Sequence, residues 1–200
     1  MAEIFRHFLS LPSSNKNLKL GQPSVTTSGH SIILVMMNDK IKPKLQPNSR
    51  HCFVCGLENN YGLKLRFMDT GPGEVTAEYT VPEQFQGYPG VVHGGIVTAM
   101  LDEVTGRAHM NSEHTRFMFT AKIEIRFRKN VPVGEPLRIV GRIEKSKSRM
   151  ASSTGKIFGP KGDVLAEAKT LLVDLPEEEV RKVDLEALGW QVYDLEEDHN

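Results

Sequence analysis

An α+β fold, with an antiparallel sheet around one long helix, is what this 200-residue sequence predicts. Three observations carry the prediction. Segments that alternate apolar and polar residues, the period of a half-buried strand, lie on both sides of a single helix-like run. The separators between the later strand-like segments, "NVPVGE" and "GPKGD", are short and rich in breakers. They are too short for the helical crossovers that parallel strands require.

The elements follow in order. "LKLRFMD" (63–69) alternates, "GPG" breaks it, and "EVTAEYTV" (74–81) alternates again, which is the pattern of a hairpin. "PEQFQGYPG" is a breaker-rich loop. The helix then runs from Gly94 to about His109. Four strands follow: 115–129, 136–148, 150–159 and 163–175. A single helix covers one face of such a sheet, so the other face is left to solvent or to another subunit.

Residues 50–175 are read as the domain. Residues 1–49 form an N-terminal extension, disordered or preceding the true start; Met36 and Met37 read like a natural beginning. Residues 176–200 are an acidic C-terminal helix or tail. The chain has zero formal net charge, yet residues 1–50 hold seven Lys/Arg against two Asp/Glu, and residues 174–200 hold two against ten. Neutrality gives no whole-chain attraction to nucleic acid or to anionic membranes. The longest N-terminal apolar run, "IILVMM", falls far short of the ~20 residues of a membrane span. The only cysteines, Cys52 and Cys55 in "RHCFVCG", are too few for a disulfide framework, so a cytoplasmic location is expected. They are read as two small thiols in a tight turn, with no metal and no cofactor, because a lone C-x-x-C is weak evidence for zinc.

The helix carries the chemistry. At ~100° per residue, Ile96, Val97, Met100, Leu101, Val104 and Ala108 form a broad apolar face toward the sheet. Gly95, Thr98, Ala99, Asp102, Thr105 and Gly106 fall on another stripe, where every neighbour of Asp102 is small. A carboxylate there is costly unless paired or useful. Its rival, Glu103, stands four residues before Arg107, the favourable order for an ion-paired helix rim. Asp102 is therefore the candidate functional acid. At the helix start, Gly94 and Gly95 leave N–H groups unobstructed at the positive end of the dipole, where a developing oxyanion is stabilised. Gly94 and Asp102 are eight residues apart, about 12 Å at a rise of about 1.5 Å per residue. The two ends cannot act on one carbonyl within one chain, so a homodimer with two composite sites is expected.

"VVHGGIVTAMLDEVTG", followed by "FTAKIEIRFRKNVPVGEPLRIVGRI" and preceded by "HCFVCGLENNYGLKLRF", resembles the hotdog-fold acyl-CoA thioesterases of the phenylacetate-degradation type, over roughly residues 50–175. The resemblance implies a five- to six-stranded sheet wrapped around the helix, with subunits joined edge to edge and possible further pairing into a dimer of dimers. It implies that the Gly94 N–H polarises the thioester carbonyl. Asp102 of the other subunit would act as nucleophile or general base, and His93 would position the thioester or its water. Thr120 in "FTAKIEI" matches a Thr or Ser that orients the acid; it shares parity with Lys122 and Glu124, so it is expected to face away from the core. Some relatives have Asn six residues before the histidine. Gly87 stands there in this chain, and Gln86 is the nearest substitute. The acyl-CoA substrate would contact Gly95 and Gln86, its phosphates would meet Lys147, Arg149 and Arg128, and Phe85, Tyr88, Phe117 and Phe119 would line the acyl pocket. The alternative on the same fold is a non-catalytic acyl-CoA-binding or sensor protein.

Overall fold

The computed structural model describes residues 43–110 and 116–193. Within them the strands are β1 (Lys44–Leu45), β2 (Met68–Gly71), β3 (Glu74–Thr80), β4 (Met118–Phe127), β5 (Pro136–Ser146), β6 (Met150–Phe158) and β7 (Val164–Asp174), and the main helix is α1 (Gly94–Arg107). All pair antiparallel in one sheet of order β1-β2-β3-β5-β6-β7-β4. The expected two strands, helix and four strands are all present, and one further strand precedes them. The seventh strand is the two-residue β1, whose polar and Pro-flanked residues carry no alternation. It pairs Lys44 with Asp69 and Leu45 with Met68. The predicted first strand begins later than its pattern: Leu63, Leu65 and Phe67 are buried. The N–H groups of Leu63 and Leu65 bond Phe53 O and Val54 O instead of a strand neighbour.

Helix α1 lies on the inner face of the sheet, against β3 to β7. Val97, Met100, Leu101, Val104 and Ala108 are buried as their spacing requires, while Ile96 is half-buried at the edge of the core. The close approach has a specific cause. Gly141 of β5 and Gly155 of β6 are cross-strand partners facing the helix. A Cβ at Gly141 would stand 2.2 Å from Val104 O, and one at Gly155 would stand 3.0 Å from Thr105 Cγ2. This missing side-chain layer lets the backbones approach. Thr105, placed by angle on the small polar stripe, is in fact fully buried over Gly155, with its hydroxyl donating to Asp102 O at 2.8 Å.

The Glu103–Arg107 pair forms at 2.9 Å but is not a rim. Arg107 is 1% exposed. Its guanidinium lies 4.9 Å from the Phe67 ring centroid and 4.9 Å from that of Trp190, and it donates to Pro47 O at 2.5 Å. Angle along the helix predicts the pair; the aromatic cage around it comes from remote segments. Gln46 and Asn48 are also buried. Gln46 Nε2 donates to Arg107 O, and Asn48 Nδ2 donates to Cys55 O and Leu65 O. Residues 46–49 are thus built into this core, and residues 1–42 of the proposed extension lie outside the described residues. In the C-terminal segment, Glu177–Val180 makes one short helix, α2, and Trp190 packs on Phe117 with ring centroids 5.6 Å apart.

Candidate active site

Two clusters sit at opposite ends of the contact between α1 and the edge strand β4. The first is the helix start. His93 is the N-cap, in extended conformation (φ −59°, ψ 136°), and its Nδ1 accepts the Gly95 N–H at 3.0 Å. An accepting Nδ1 leaves the proton of a neutral ring on Nε2. Gly95, expected to offer its N–H to the substrate, therefore has that donor occupied by the cap. Among the described residues, the Gly94 N–H has no acceptor. It is the free donor at the positive end of the dipole. Phe127 Cζ of β4 stands 3.7 Å from where a Cβ at Gly94 would be.

The loop before the helix is tied to it. His93 N–H bonds Phe85 O, Gly87 N–H bonds Val91 O, and Gln86 pairs with Val92 as an isolated bridge. Gln86 Oε1 accepts from Gly90 N at 3.3 Å, so its amide braces this turn. Gly87 has a packing reason: a Cβ there would lie 3.2 Å from His93 Cα. The side chain that some relatives place at this position would press on the histidine.

The second cluster is Asp102 with Thr120. Thr120 Oγ1 donates to Asp102 Oδ1 at 2.7 Å. The expectation that Thr120 faces away from the helix is corrected by a β-bulge. Thr120 pairs with Leu172 but Lys122 pairs with Leu171, so the strand gains a residue and the parity of side chains inverts. Leu172, Thr170 and Ala168 alternate along β7 as buried residues, and their partners Thr120, Ile123 and Ile125 share that helix-facing side. Asp102 is half-buried. Desolvation raises its pKa above the usual carboxylate value, the Thr120 bond opposes this, and the charge of Glu103 adds to it. The result is a more basic carboxylate, held in one orientation.

The candidate cations divide between the ends. Lys147 and Arg149 lie in the exposed β5–β6 turn, and Met150 beside them shares a register row, through Val173, with Phe119. This turn is at the Thr120 end. It is braced by Arg116, whose guanidinium takes both Asp174 oxygens at 2.7 and 3.0 Å and also bonds Ser146 Oγ and Lys147 O. Arg116 carries no periodic signature in the sequence. Arg128 is at the Gly94 end and is already paired with Glu167. Of the proposed acyl-pocket residues, Phe119 (58% exposed) and Tyr88 (82%) are open, Phe85 is half-buried, and the Phe117 ring is spent on Trp190. Phe127, 54% exposed on the same edge strand, carries no signal in the sequence that distinguishes it from a core aromatic. Two surface cavities lie away from this site, one beside Arg50, Leu185 and Trp190, the other beside Arg138, Arg142 and Phe158.

The thioesterase superfamily model matches residues 89–166, from the loop before α1 into β7. Among solved structures, the chain is similar to a thioesterase superfamily protein at 30% identity and TM-score 0.58, over 62% of this chain and 61% of that one. The match thus spans less than two thirds of that relative. The fold is shared with E. coli PaaI, from the phenylacetic acid degradation operon (14% identity, TM-score 0.53, 57% and 81% of the two chains). It is shared also with a hypothetical thioesterase of Streptococcus pneumoniae, solved with coenzyme A (17% identity, TM-score 0.51, 56% and 85%). No curated protein sequence matches the chain. Residues 89–166, which carry α1 and most of the sheet around it, are similar to the thioesterase superfamily, and the chain has the hotdog fold of these thioesterase structures.

Proposed function

We propose that this protein is an acyl-CoA thioesterase, which hydrolyses a CoA thioester to a free acid and CoA. The observation that carries the reading is the half-buried Asp102 carboxylate, hydrogen-bonded to Thr120 at 2.7 Å, on the helix whose first N–H, that of Gly94, is free. The pair supplies what thioester hydrolysis needs. A thioester has weak resonance stabilisation and a good leaving group, so a carboxylate and an oxyanion donor suffice. Water attacks the carbonyl carbon as Asp102 takes its proton, or Asp102 attacks directly and its acyl anhydride is hydrolysed. The oxyanion accepts from Gly94 N–H, and the C–S bond breaks with the sulfur leaving as the CoA thiolate. Oxygen-18 from solvent enters the Asp102 carboxylate only by the second route.

Within one chain the two groups are about 12 Å apart along the helix, so the reading requires a homodimer. Strand β4 ends the sheet, with Phe127 at the glycine end and Thr120 at the carboxylate end. Two copies joined along β4 by a two-fold axis run antiparallel, which brings the glycine end of one toward the carboxylate end of the other. Lys147 and Arg149 of one subunit and the helix start of its partner would then border one cleft for the CoA moiety. The coenzyme A in the S. pneumoniae structure supports this substrate class. Both cysteines are free thiols, and no described helix is long and apolar enough to cross a membrane; both features accord with a cytoplasmic enzyme.

The test is an assay of wild type and Asp102→Asn against acyl-CoA esters of varied chain length and aromatic content. Turnover by wild type, lost in the variant with CoA-ester binding retained, is the expected result. Unchanged turnover in the variant contradicts the assignment, and binding without any turnover by wild type favours a sensor.

A further inference from the structure

We propose that Cys52, Cys55 and Glu103 form a site for one thiophilic divalent cation of the zinc class, clamping residues 43–67 to helix α1. The sequence offers only the two thiols. The fold adds a third donor, and a ligand atom from each of the three residues lies within 4.8 Å of the others. Donors around a tetrahedral zinc, at bond lengths of about 2.0–2.3 Å, stand roughly 3.5–3.8 Å apart. Small side-chain rotations close the set to that spacing.

Two independent features of the surroundings fit a bound cation. The first is the turn. Cys52 Sγ accepts N–H bonds from Val54 at 3.3 Å and Cys55 at 3.5 Å, and Gly56 N–H bonds Cys52 O at 2.9 Å. A Cβ at Gly56 would stand 2.3 Å from Cys52 O, so the turn is tighter than any other residue permits. Backbone amides aimed at a sulfur stabilise it as thiolate, the form that binds metal.

The second feature is charge. Two thiolates and one carboxylate carry three negative charges, and a divalent cation with the Arg107 guanidinium cancels them. Arg107 is in place: it bonds Glu103 at 2.9 Å and is almost wholly buried. Its Nη2 is buried without a hydrogen-bond partner. A buried guanidinium N–H left unpaired is costly, and a Cys55 thiolate supplies the missing acceptor. Cys52 and Glu103 are partly exposed, which leaves an entry path and a fourth position for water. The clamp also has mechanical sense. Residues 46–67 contain no named strand or helix, and a metal tie replaces the missing ladder, as in other small metal-stapled loops.

The proposal is independent of the thioesterase reading. Its test uses tag-free, full-length protein purified under reducing conditions, stripped with chelator and titrated with Co²⁺ and then Zn²⁺. One Co²⁺ per chain is expected, with a near-ultraviolet thiolate-to-cobalt band that Zn²⁺ displaces. Cys52→Ser should abolish the band, and Glu103→Gln should weaken binding at least ten-fold. Circular dichroism in chelator establishes that each variant is folded, and Zn²⁺ should raise Tm for wild type but not for Cys52→Ser. Absence of the band and of retained metal in wild type overturns the proposal, as does an equal stoichiometry in Cys52→Ser. So does a Cys52–Cys55 disulfide, two mass units lighter, persisting under reduction and excluding the metal.

Discussion

Burial and a hydrogen bond pull Asp102 in opposite directions. Desolvation disfavours its charge, and the Thr120 hydroxyl favours it. The carboxylate is the active form, so kcat/KM falls as pH drops through its pKa. Thr120→Val removes the hydroxyl whose hydrogen bond lowers that pKa. The acid limb of the pH–rate profile should therefore move to higher pH, while Thr120→Ser leaves it near the wild-type position. An unmoved limb in Thr120→Val would show that Thr120 does not tune the acid. Gly94 gives a second residue-scale prediction. It is the first helical residue, where proline's fixed φ fits and only an unused N–H is lost. His93 before it is already extended, as a residue before proline must be. Gly94→Pro should thus retain the fold and lower kcat by about 10²–10³, the usual effect of losing one oxyanion donor. Gly94→Ala keeps the N–H, places its Cβ at ordinary contact with Phe127, and should stay near wild-type activity. Steady-state kinetics on both variants decide it. Asp102 and Gly94 are legible in the sequence because a lone acid among small residues and glycines at a helix start are anomalies of composition. The side on which Thr120 lies is not legible. A bulge adds one residue to a strand without changing its apolar content, so parity counting fails there.

At the scale of elements, α1 reaches the sheet over the Gly141–Gly155 pair. Gly141→Ala puts a methyl group into backbone, 2.2 Å from Val104 O. Overpacking of this kind costs about 1–3 kcal/mol and sometimes more. Gly155→Ala meets only side-chain atoms at 3.0–3.2 Å, which give by small rotations, so its cost should be smaller. Urea unfolding midpoints at fixed m-value check the order; equal midpoints would mean that the helix is not seated on this pair. The strands and helix are legible because their periods, 2 and 3.6, record which face is wet. Arg107 shows where that record ends. Its i,i+4 partner Glu103 is visible along the helix, but Phe67, Trp190 and Pro47 O come from three other segments. No local window holds the information that a charged residue is buried there. Glu103 meeting the two cysteines is hidden for the same reason.

For the whole molecule, the decisive feature is the end of the sheet. Among the described residues strand β4 pairs only with β7, and it displays Phe119 at 58% and Phe127 at 54% exposure. An apolar edge strand is a template for another chain. Sedimentation of the purified protein should give a dimer or a multiple of it, and charged substitutions at Phe119 and Phe127 should lower both assembly and activity together. The distance between Gly94 and Asp102 makes assembly and chemistry one question, which mixing two inactive variants answers. Asp102→Asn and Gly94→Pro are each inactive as homodimers, because every site lacks one half. Co-expressed at equal levels, they form heterodimers in which one site has both halves intact. Recovery of about a quarter of wild-type activity is predicted from statistical pairing of a two-fold dimer. No recovery, with heterodimers demonstrated by mass spectrometry, would contradict a site shared between subunits.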